Sequence, residues 1–97
     1  MSYIPKSKVI RMDANDNCAT ALKDIKKGEK IEMGDLLLTA KQDIPFGHKI
    51  ALDNIKKGDF VKKYGEIIGL AINDIKTGEW IHVHNLESHY MRVIRNG

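Results

Sequence analysis

The chain has 97 residues, a formal net charge of +3 and a single cysteine. A chain of this length forms one domain over residues 1–97, and burying roughly two thirds of its unfolded surface is enough for an independent core. Cys18 has no second cysteine to pair with, which excludes an intrachain disulfide. The sequence shows neither an apolar run that would span a bilayer nor the apolar core of a signal peptide at its start. We therefore expect a cytoplasmic protein with no membrane partner.

The positive charge does not predict a nucleic-acid partner. Lysines alternate with acidic residues along the chain, as in Lys56-Lys57-Gly58-Asp59, and no aromatic side chains are interleaved with them as base-stacking platforms. This interspersion is typical of a solvated mixed-charge surface. The small size also leaves little room for both a substrate cleft and a full catalytic set, so any chemistry here is expected to use residues of another domain or subunit.

Short strands are predicted along the whole chain. In chain order they cover residues 8–12, 18–23, 30–33, 36–40, 49–52, 60–62, 67–72, 80–84 and 90–94. Residues 18–22 are also compatible with the start of a helix, because Ala19, Ala21 and Leu22 are good helix formers. A strand is preferred there. Strands this short, punctuated by Gly and Asp, indicate an all-β barrel or clip.

The strands are separated by a recurring turn. Asp24-Ile25-Lys26-Lys27-Gly28-Glu29 returns almost unchanged at residues 54–59 and 74–79, with a looser copy at 43–48. In each copy an Asp or Asn side chain can bond the backbone two residues on, and a Gly can adopt positive φ where the chain reverses. The unequal spacing of the copies excludes a solenoid, so one type of turn is reused within one domain.

The segment from Gly78 to Leu86 contains two histidines at alternating positions. If it is a strand, Trp80, His82 and His84 share one face, while Ile81 and Val83 form the core face. The two histidine Cα atoms would then lie ~6.6 Å apart, close enough for both rings to reach one divalent ion. The alternative is a pair of solvated histidines on an edge strand. No downstream cysteine or acidic cluster completes the ligand set, so a metal would need ligands from elsewhere.

Two further groups of polar residues follow predicted turns. His48 and Lys49 stand where a Pro-containing turn enters a strand, a position where functional groups are often presented, although a plain surface pair is the common outcome. Lys63 and Tyr64 either grip a carboxylate or cover an apolar edge. None of these groups alone indicates an activity.

Taken in order, these motifs resemble a known family. The matching segments are Asp16-Asn17, Gly47 to Ala51, Lys63 to Gly69 and Asp74 to Asn85. They are similar to the amino-terminal domain of altronate and galactarate dehydratases over most of the chain, from about Asn15 to Leu86. The resemblance implies the antifreeze-like SAF fold of the β-clip class, with short strands joined by Gly turns. In one-chain members a large catalytic domain follows, whereas this chain ends at Gly97, so we expect a split enzyme with a separate large subunit rather than a fragment.

The resemblance also implies an activity and a set of site residues. The expected protein is the small subunit of a hydro-lyase of the altronate dehydratase type, inactive alone, that works with iron or manganese on a sugar acid. The reaction removes water from a 2,3-dihydroxy acid and gives a 2-keto-3-deoxy acid. The implied roles are metal or carboxylate binding for His82 and His84, proton transfer for His48, orientation of hydroxyl or carboxylate groups for Lys49 and Asn85, and substrate binding for Lys63 and Tyr64.

Other functions remain open from the sequence. The same architecture is similar to the alpha subunit of sulfolactate sulfo-lyase, which eliminates sulfite instead of water. A non-catalytic SAF-type module for ligand binding or assembly, or a regulator that binds sugar acids, is the alternative from a different class, and a homo-oligomer is compatible with all of them. A binding module has no need for both histidine motifs, so we expect His48 to lie near His82 in the folded chain.

Overall fold

The computed structural model describes residues 7–88, and within that range the chain forms nine β-strands and no helix. The strands are β1 Val9–Ile10, β2 Cys18–Ala21, β3 Lys30–Met33, β4 Leu36–Thr39, β5 Lys49–Ala51, β6 Phe60–Lys63, β7 Glu66–Ala71, β8 Trp80–Ile81 and β9 Leu86–Ser88. The predicted all-β class is confirmed, and β2 excludes the helix considered at residues 18–22. The strand predicted at 90–94 lies outside the described residues. No helix in the described part of the chain is long and apolar enough to cross a membrane.

Three antiparallel sheets make up the described fold. The largest has the strand order β1-β2-β5-β8, while β3 and β4 form a two-stranded hairpin and β6, β7 and β9 form the third sheet. In the central pairings, β5 lies between β2 and β8, with Ile50 opposite both Ala19 and Trp80. The entrance to β5 and the exit from β8 therefore meet at one edge of the sheet, and this places the candidate site.

The recurring turns dock on one another in pairs. Ile25 forms a β-bridge with Ile44, and Ile55 forms the corresponding bridge with Ile75. The first Asp or Asn of each turn caps its partner: Asp43 Oδ1 accepts a hydrogen bond of 2.8 Å from the backbone N–H of Lys27, and Asp74 Oδ1 one of 2.9 Å from that of Lys57. The turn glycines predicted at positions 28, 47, 58 and 78 all adopt positive φ. Each reversal is thus stabilised by a second reversal far away in sequence.

Two hydrophobic clusters lie on opposite faces of the largest sheet. Ile50 belongs to the first cluster and its neighbour Ala51 to the second, as strand alternation requires. Ile25 and Ile44 are buried in the first cluster, whereas Ile75 and Ile81 are buried in the second. Full burial of an isoleucine side chain stabilises a fold by about 1.5–3 kcal/mol. The sheet that carries the candidate site is therefore fixed from both sides.

Candidate functional site

Strand register brings His48 beside His82. β5 pairs with β8 so that Lys49 lies opposite Ile81 and Ile50 opposite Trp80. In an antiparallel pair the next position places His48 opposite His82. The two imidazole centroids lie 5.0 Å apart. The two sequence motifs therefore converge, as expected for a shared site.

Trp80 lies at the centre of these rings. Its indole Nε1–H donates a hydrogen bond of 3.2 Å to His48 Nδ1, and its ring stacks on that of His82 with centroids 5.1 Å apart and an interplanar angle of 10°. The His84 ring lies 5.4 Å from the indole in a tilted arrangement. We call these four residues the histidine cluster. One half-buried indole contacts all three imidazoles.

The predicted strand at residues 80–84 is wrong beyond Ile81. β8 ends there, and residues 82–85 turn so that the backbone N–H groups of Asn85 and Leu86 both donate to the carbonyl of His82. Val83, predicted to face the core, is 76% exposed. His82 and His84 therefore reach the same indole through a turn, not through strand alternation.

Asn85 causes this turn. Its side-chain Oδ1 accepts a hydrogen bond of 2.9 Å from the N–H of His82, and its Nδ2 donates one of 2.8 Å to the carbonyl of Trp80. The residue is 4% exposed. Because both ends of the amide bond the backbone of the loop, the geometry favours a role in shaping the histidine cluster over the substrate contact expected from the sequence. That contact stays a prediction.

A pocket of about 500 Å³ opens beside the histidine cluster. Lys49 and His82 line it together with the apolar side chains of Ile72, Val83 and Leu86. Lys49 follows His48 directly, and strand alternation sends the two side chains to opposite faces of β5. His82 lies between them, because it contacts the ring of His48 and also lines the pocket with Lys49.

Two basic residues, Lys49 and His82, line this pocket together with one acidic residue, Glu87. Burial and the nearby positive charge of Lys63 lower the pKa of Lys49. The pKa of His82 is lowered mainly by burial and further by His48, Lys49 and His84, so protonation of this ring is disfavoured. A lysine ammonium group with little solvent around it stabilises an anion, so Lys49 suits a carboxylate.

Lys63 and Tyr64 lie at the turn between β6 and β7. The buried carboxylate of Asp16 fixes this turn by accepting hydrogen bonds from the N–H groups of Tyr64, at 2.9 Å, and Gly65, at 2.8 Å. Lys63 Nζ sits 5.1 Å from the centroid of the Tyr64 ring, which is 62% exposed. The structure thus places Lys63 close enough to act on Lys49, while the described contacts of Tyr64 are with Lys63 and Asp16 and not with the histidine cluster.

Three residues support the site in ways that sequence reasoning missed. Asp16 fixes the β6–β7 turn, Asn17 bonds the N–H of Lys62 and the carbonyl of Phe60, and Gln42 Oε1 accepts a hydrogen bond of 3.0 Å from the N–H of Trp80. The sequence signal for the first two was the run of Asp and Asn residues just before β2, since such side chains often cap backbone groups. Nothing in the sequence marks Gln42, because its partner lies 38 residues away.

The metal expected from the resemblance does not find a complete ligand set among residues 7–88. No group of three or more His, Cys, Asp or Glu side chains in this range could hold an ion. His82 and His84 both lie against Trp80, so this part of the chain offers at most two imidazoles to a shared ion. The described residues alone therefore do not fit a metal centre.

Comparison with known proteins supplies the family. Residues 7–89 match the family described as the altronate/galactarate dehydratase SAF domain. The chain is 47% identical to altronate dehydratase of Bacillus subtilis (strain 168) over 81% of its own length, but it covers only 16% of that protein. Altronate dehydratase of Escherichia coli (strain K12) is 43% identical over 78% of the chain and is covered to 15%. The (2R)-sulfolactate sulfo-lyase subunit alpha of Paracoccus pantotrophus is 50% identical over 56% of the chain, and 81% of that subunit is covered.

Proposed function

Given that this chain belongs to the altronate/galactarate dehydratase SAF domain family, we propose that it is the small subunit of a sugar-acid dehydratase and contributes to the active site of a large catalytic subunit. The observation that carries the proposal is the convergence of His48 and His82, 5.0 Å apart, next to a pocket with Lys49 on its wall. A cytoplasmic location accords with this role. The chain spans about one sixth of the altronate dehydratases it matches, so the catalytic remainder belongs to another part of the enzyme.

The proposed reaction removes water from a 2,3-dihydroxy acid. A base takes the proton from C2, the C3–O bond breaks, and the leaving hydroxyl group receives a proton and departs as water. The resulting enol then tautomerises to the 2-keto-3-deoxy acid. Because the C2 proton is a weak acid, the developing enediolate needs fixed donors or cations close to the carboxylate.

The described residues suit the anionic part of such a substrate. Lys49 is a desolvated cation on the pocket wall, and Lys63 adds positive charge nearby. We assign Lys49 to the carboxylate and His48 to an oxygen of the reacting centre. Apart from Glu87 and Ser88, the rest of the pocket wall, formed by Ile72, Val83 and Leu86, is apolar, so most hydroxyl groups of the sugar acid would be bound by the large subunit.

An iron or manganese ion belongs to the proposal only as a centre completed by the partner. His82 and His84 would donate ring nitrogens, and the remaining ligands would come from the large subunit. When bound, such an ion would stabilise negative charge on the substrate. None of the roles assigned to Lys49 and His48 depends on it.

A second candidate is the alpha subunit of a sulfolactate sulfo-lyase. It is favoured by the comparison with the Paracoccus pantotrophus subunit, which is itself a short chain and is covered over 81% of its length. Its substrate would also present a carboxylate to Lys49, so the described site does not distinguish the two eliminations.

Reconstitution tests the proposal. The chain alone is expected to show no dehydratase activity, and addition of a cognate large subunit with iron or manganese should produce a 2-keto-3-deoxy acid from altronate. In the complex, His82→Ala and His84→Ala should each lower turnover ~10²-fold or more, as loss of a charge-stabilising group does. His89→Ala, at a histidine that follows the resembling motifs ending at Leu86, is the matched control.

Two outcomes of the reconstitution would favour a different function. Release of sulfite from sulfolactate with no reaction of altronate would support the sulfo-lyase subunit instead. Full activity of both histidine variants would mean that the large subunit holds the whole site and that this chain only docks on it.

A further inference from the structure

Trp80 is fixed both by hydrogen bonds of its backbone and by packing of its side chain. Its backbone N–H donates to Gln42 Oε1 at 3.0 Å, and its carbonyl accepts from Asn85 Nδ2 at 2.8 Å. Its side chain packs against the first hydrophobic cluster. The anchored backbone, this packing and the stacking on His82 together hold the indole in place and direct its N–H.

The indole N–H donates its hydrogen bond to His48 Nδ1. Trp80 Nε1 is 3.2 Å from His48 Nδ1, and an indole nitrogen can only donate. His48 Nδ1 must therefore accept, which requires a lone pair on this nitrogen. A neutral imidazole that accepts at Nδ1 carries its proton on Nε2.

We propose that Trp80 is a positioning residue that holds neutral His48 as the Nε2–H tautomer, so that His48 presents a hydrogen-bond donor, and not a base, to the substrate. The tautomer assignment rests on the hydrogen bond alone, while its use in the reaction rests on the function proposed above. With this tautomer, the role of His48 is no longer proton transfer in general. The ring donates a hydrogen bond from Nε2–H to an oxygen atom of the substrate.

This assignment divides the reaction between the two parts of the enzyme. A fixed N–H directed at an enediolate oxygen stabilises the charge that develops when the C2 proton leaves, as a neutral histidine can do. The same ring has no free lone pair at Nε2 to receive that proton. The base that takes the C2 proton must then come from another residue, and the large subunit is where we place it.

Nitrogen-15 NMR of the 97-residue chain tests the tautomer without any activity. At alkaline pH, where imidazoles are neutral, we expect the His48 ring of the wild type to show a protonated Nε2 and an unprotonated Nδ1. Trp80→Phe keeps an aromatic ring but removes the N–H, and it should return His48 to a mixture of tautomers. His84→Ala is the matched control, since His84 touches the indole ring but does not bond its nitrogen.

Trp80 provides a second measurement, because it is the only tryptophan in the sequence and its indole N–H signal is unambiguous. His48→Leu should shift this signal and speed its exchange with solvent, and this readout remains if Trp80→Phe fails to fold. An unchanged indole signal in His48→Leu, or a His48 ring protonated at Nδ1 in the wild type, would overturn the proposal.

In the reconstituted enzyme, Trp80→Phe should lower kcat about 10- to 100-fold, the range found when a group that orients an active-site histidine is lost, with little change in KM. If the NMR result is as expected but kcat is unchanged, Trp80 fixes the tautomer yet His48 does not serve the reaction. If the enzyme shows no lyase activity at all, the NMR result still decides the tautomer, so the two failures are distinguishable.

Discussion

At the scale of single residues, His82 is the point where the two halves of the site meet. It stacks on Trp80, contacts His48 and lines the pocket with Lys49. Protonation of this ring is disfavoured because the ring has lost solvent and lies beside other basic groups, which lowers its pKa. Its neutral state is the one that can serve as a ligand or hydrogen-bond partner near neutral pH.

We predict that the pKa of His82, measured by NMR titration, lies below the ordinary histidine value. Lys49→Gln should raise this pKa, because one of the positive charges that lower it is removed. Lys57→Gln, an exposed lysine in a distant turn, is the control and should leave it unchanged. An unaltered pKa in Lys49→Gln would show that Lys49 does not act on this ring.

The same shift sets a direction for stability. Between the ordinary pKa and the lowered one, the unfolded chain binds more protons at His82 than the folded chain does, so the free energy of unfolding decreases as pH falls through this window. Above the ordinary value both states are neutral and the contribution vanishes. Chemical denaturation of the wild type and of His82→Gln at several pH values measures the difference.

Cys18 is buried beneath the site, and burial makes its thiol unreactive because it disfavours the charged thiolate. Burial raises its pKa to about 11, although Lys49 and Lys63 act in the opposite direction, and its Sγ lies 3.3 Å from the carbonyl oxygen of Lys62. We predict that iodoacetamide at mildly alkaline pH leaves folded protein unmodified and alkylates it rapidly in denaturant. Rapid alkylation of the folded chain would contradict both the burial and the pKa.

At the scale of elements, the β6–β7 hairpin depends on a carboxylate from outside its own sheet. Asp16 accepts hydrogen bonds from successive backbone N–H groups in the Tyr64–Gly65 turn and from the N–H of Asp13. Successive N–H groups in a turn with positive φ form a concave anion site, and here the anion is supplied by the chain itself.

Replacing Asp16 by Ala should lower the free energy of unfolding by about 1–3 kcal/mol, since the partly buried hydrogen bonds from Tyr64 and Gly65 lose their acceptor. Amide exchange at Tyr64 and Gly65 should rise with it. Asp35→Ala, an exposed acid at the turn of the other hairpin, is the control and should cost much less. Equal losses in the two variants would mean that the Asp16 bonds contribute little.

The sequence predicted the strands well and the local geometry of the site less well. Strands β1 to β7 followed from the Gly and Asp turns and apolar runs, because these signals are local, whereas β9 was not predicted. The turn after Ile81 was missed because the Asn85 side chain stabilises it by a hydrogen bond to the backbone. The alternation of apolar and polar residues gives no sign of such a bond. The contact between His48 and His82 depends on the register of β5 and β8, whose paired residues Ile50 and Trp80 are 30 positions apart in the sequence, and no local pattern specifies this register.

At the scale of the whole molecule, the described chain presents an incomplete site. One side of the largest sheet ends in three imidazoles on one indole, and the adjoining pocket carries a lysine and an apolar wall. Val83, at the tip of the loop between the two candidate ligand histidines, is 76% exposed. Under the proposed function a large subunit completes the site by approaching this loop, so we expect Val83 to lie in or near the interface.

Metal binding is the sharpest test of this incompleteness. Two imidazoles are too few for a stable divalent centre, so we predict that the chain alone binds iron or manganese weakly or not at all in equilibrium dialysis, and that the complex with a cognate large subunit retains one ion per site. In the complex, His82→Ala with His84→Ala should reduce metal retention, whereas His48→Ala should not, since His48 accepts from Trp80 at Nδ1 and carries its proton on Nε2, which leaves neither nitrogen free as a ligand. Tight binding by the isolated chain would show that residues outside 7–88 complete the ligand set, and undiminished retention in the double variant would assign every ligand to the large subunit.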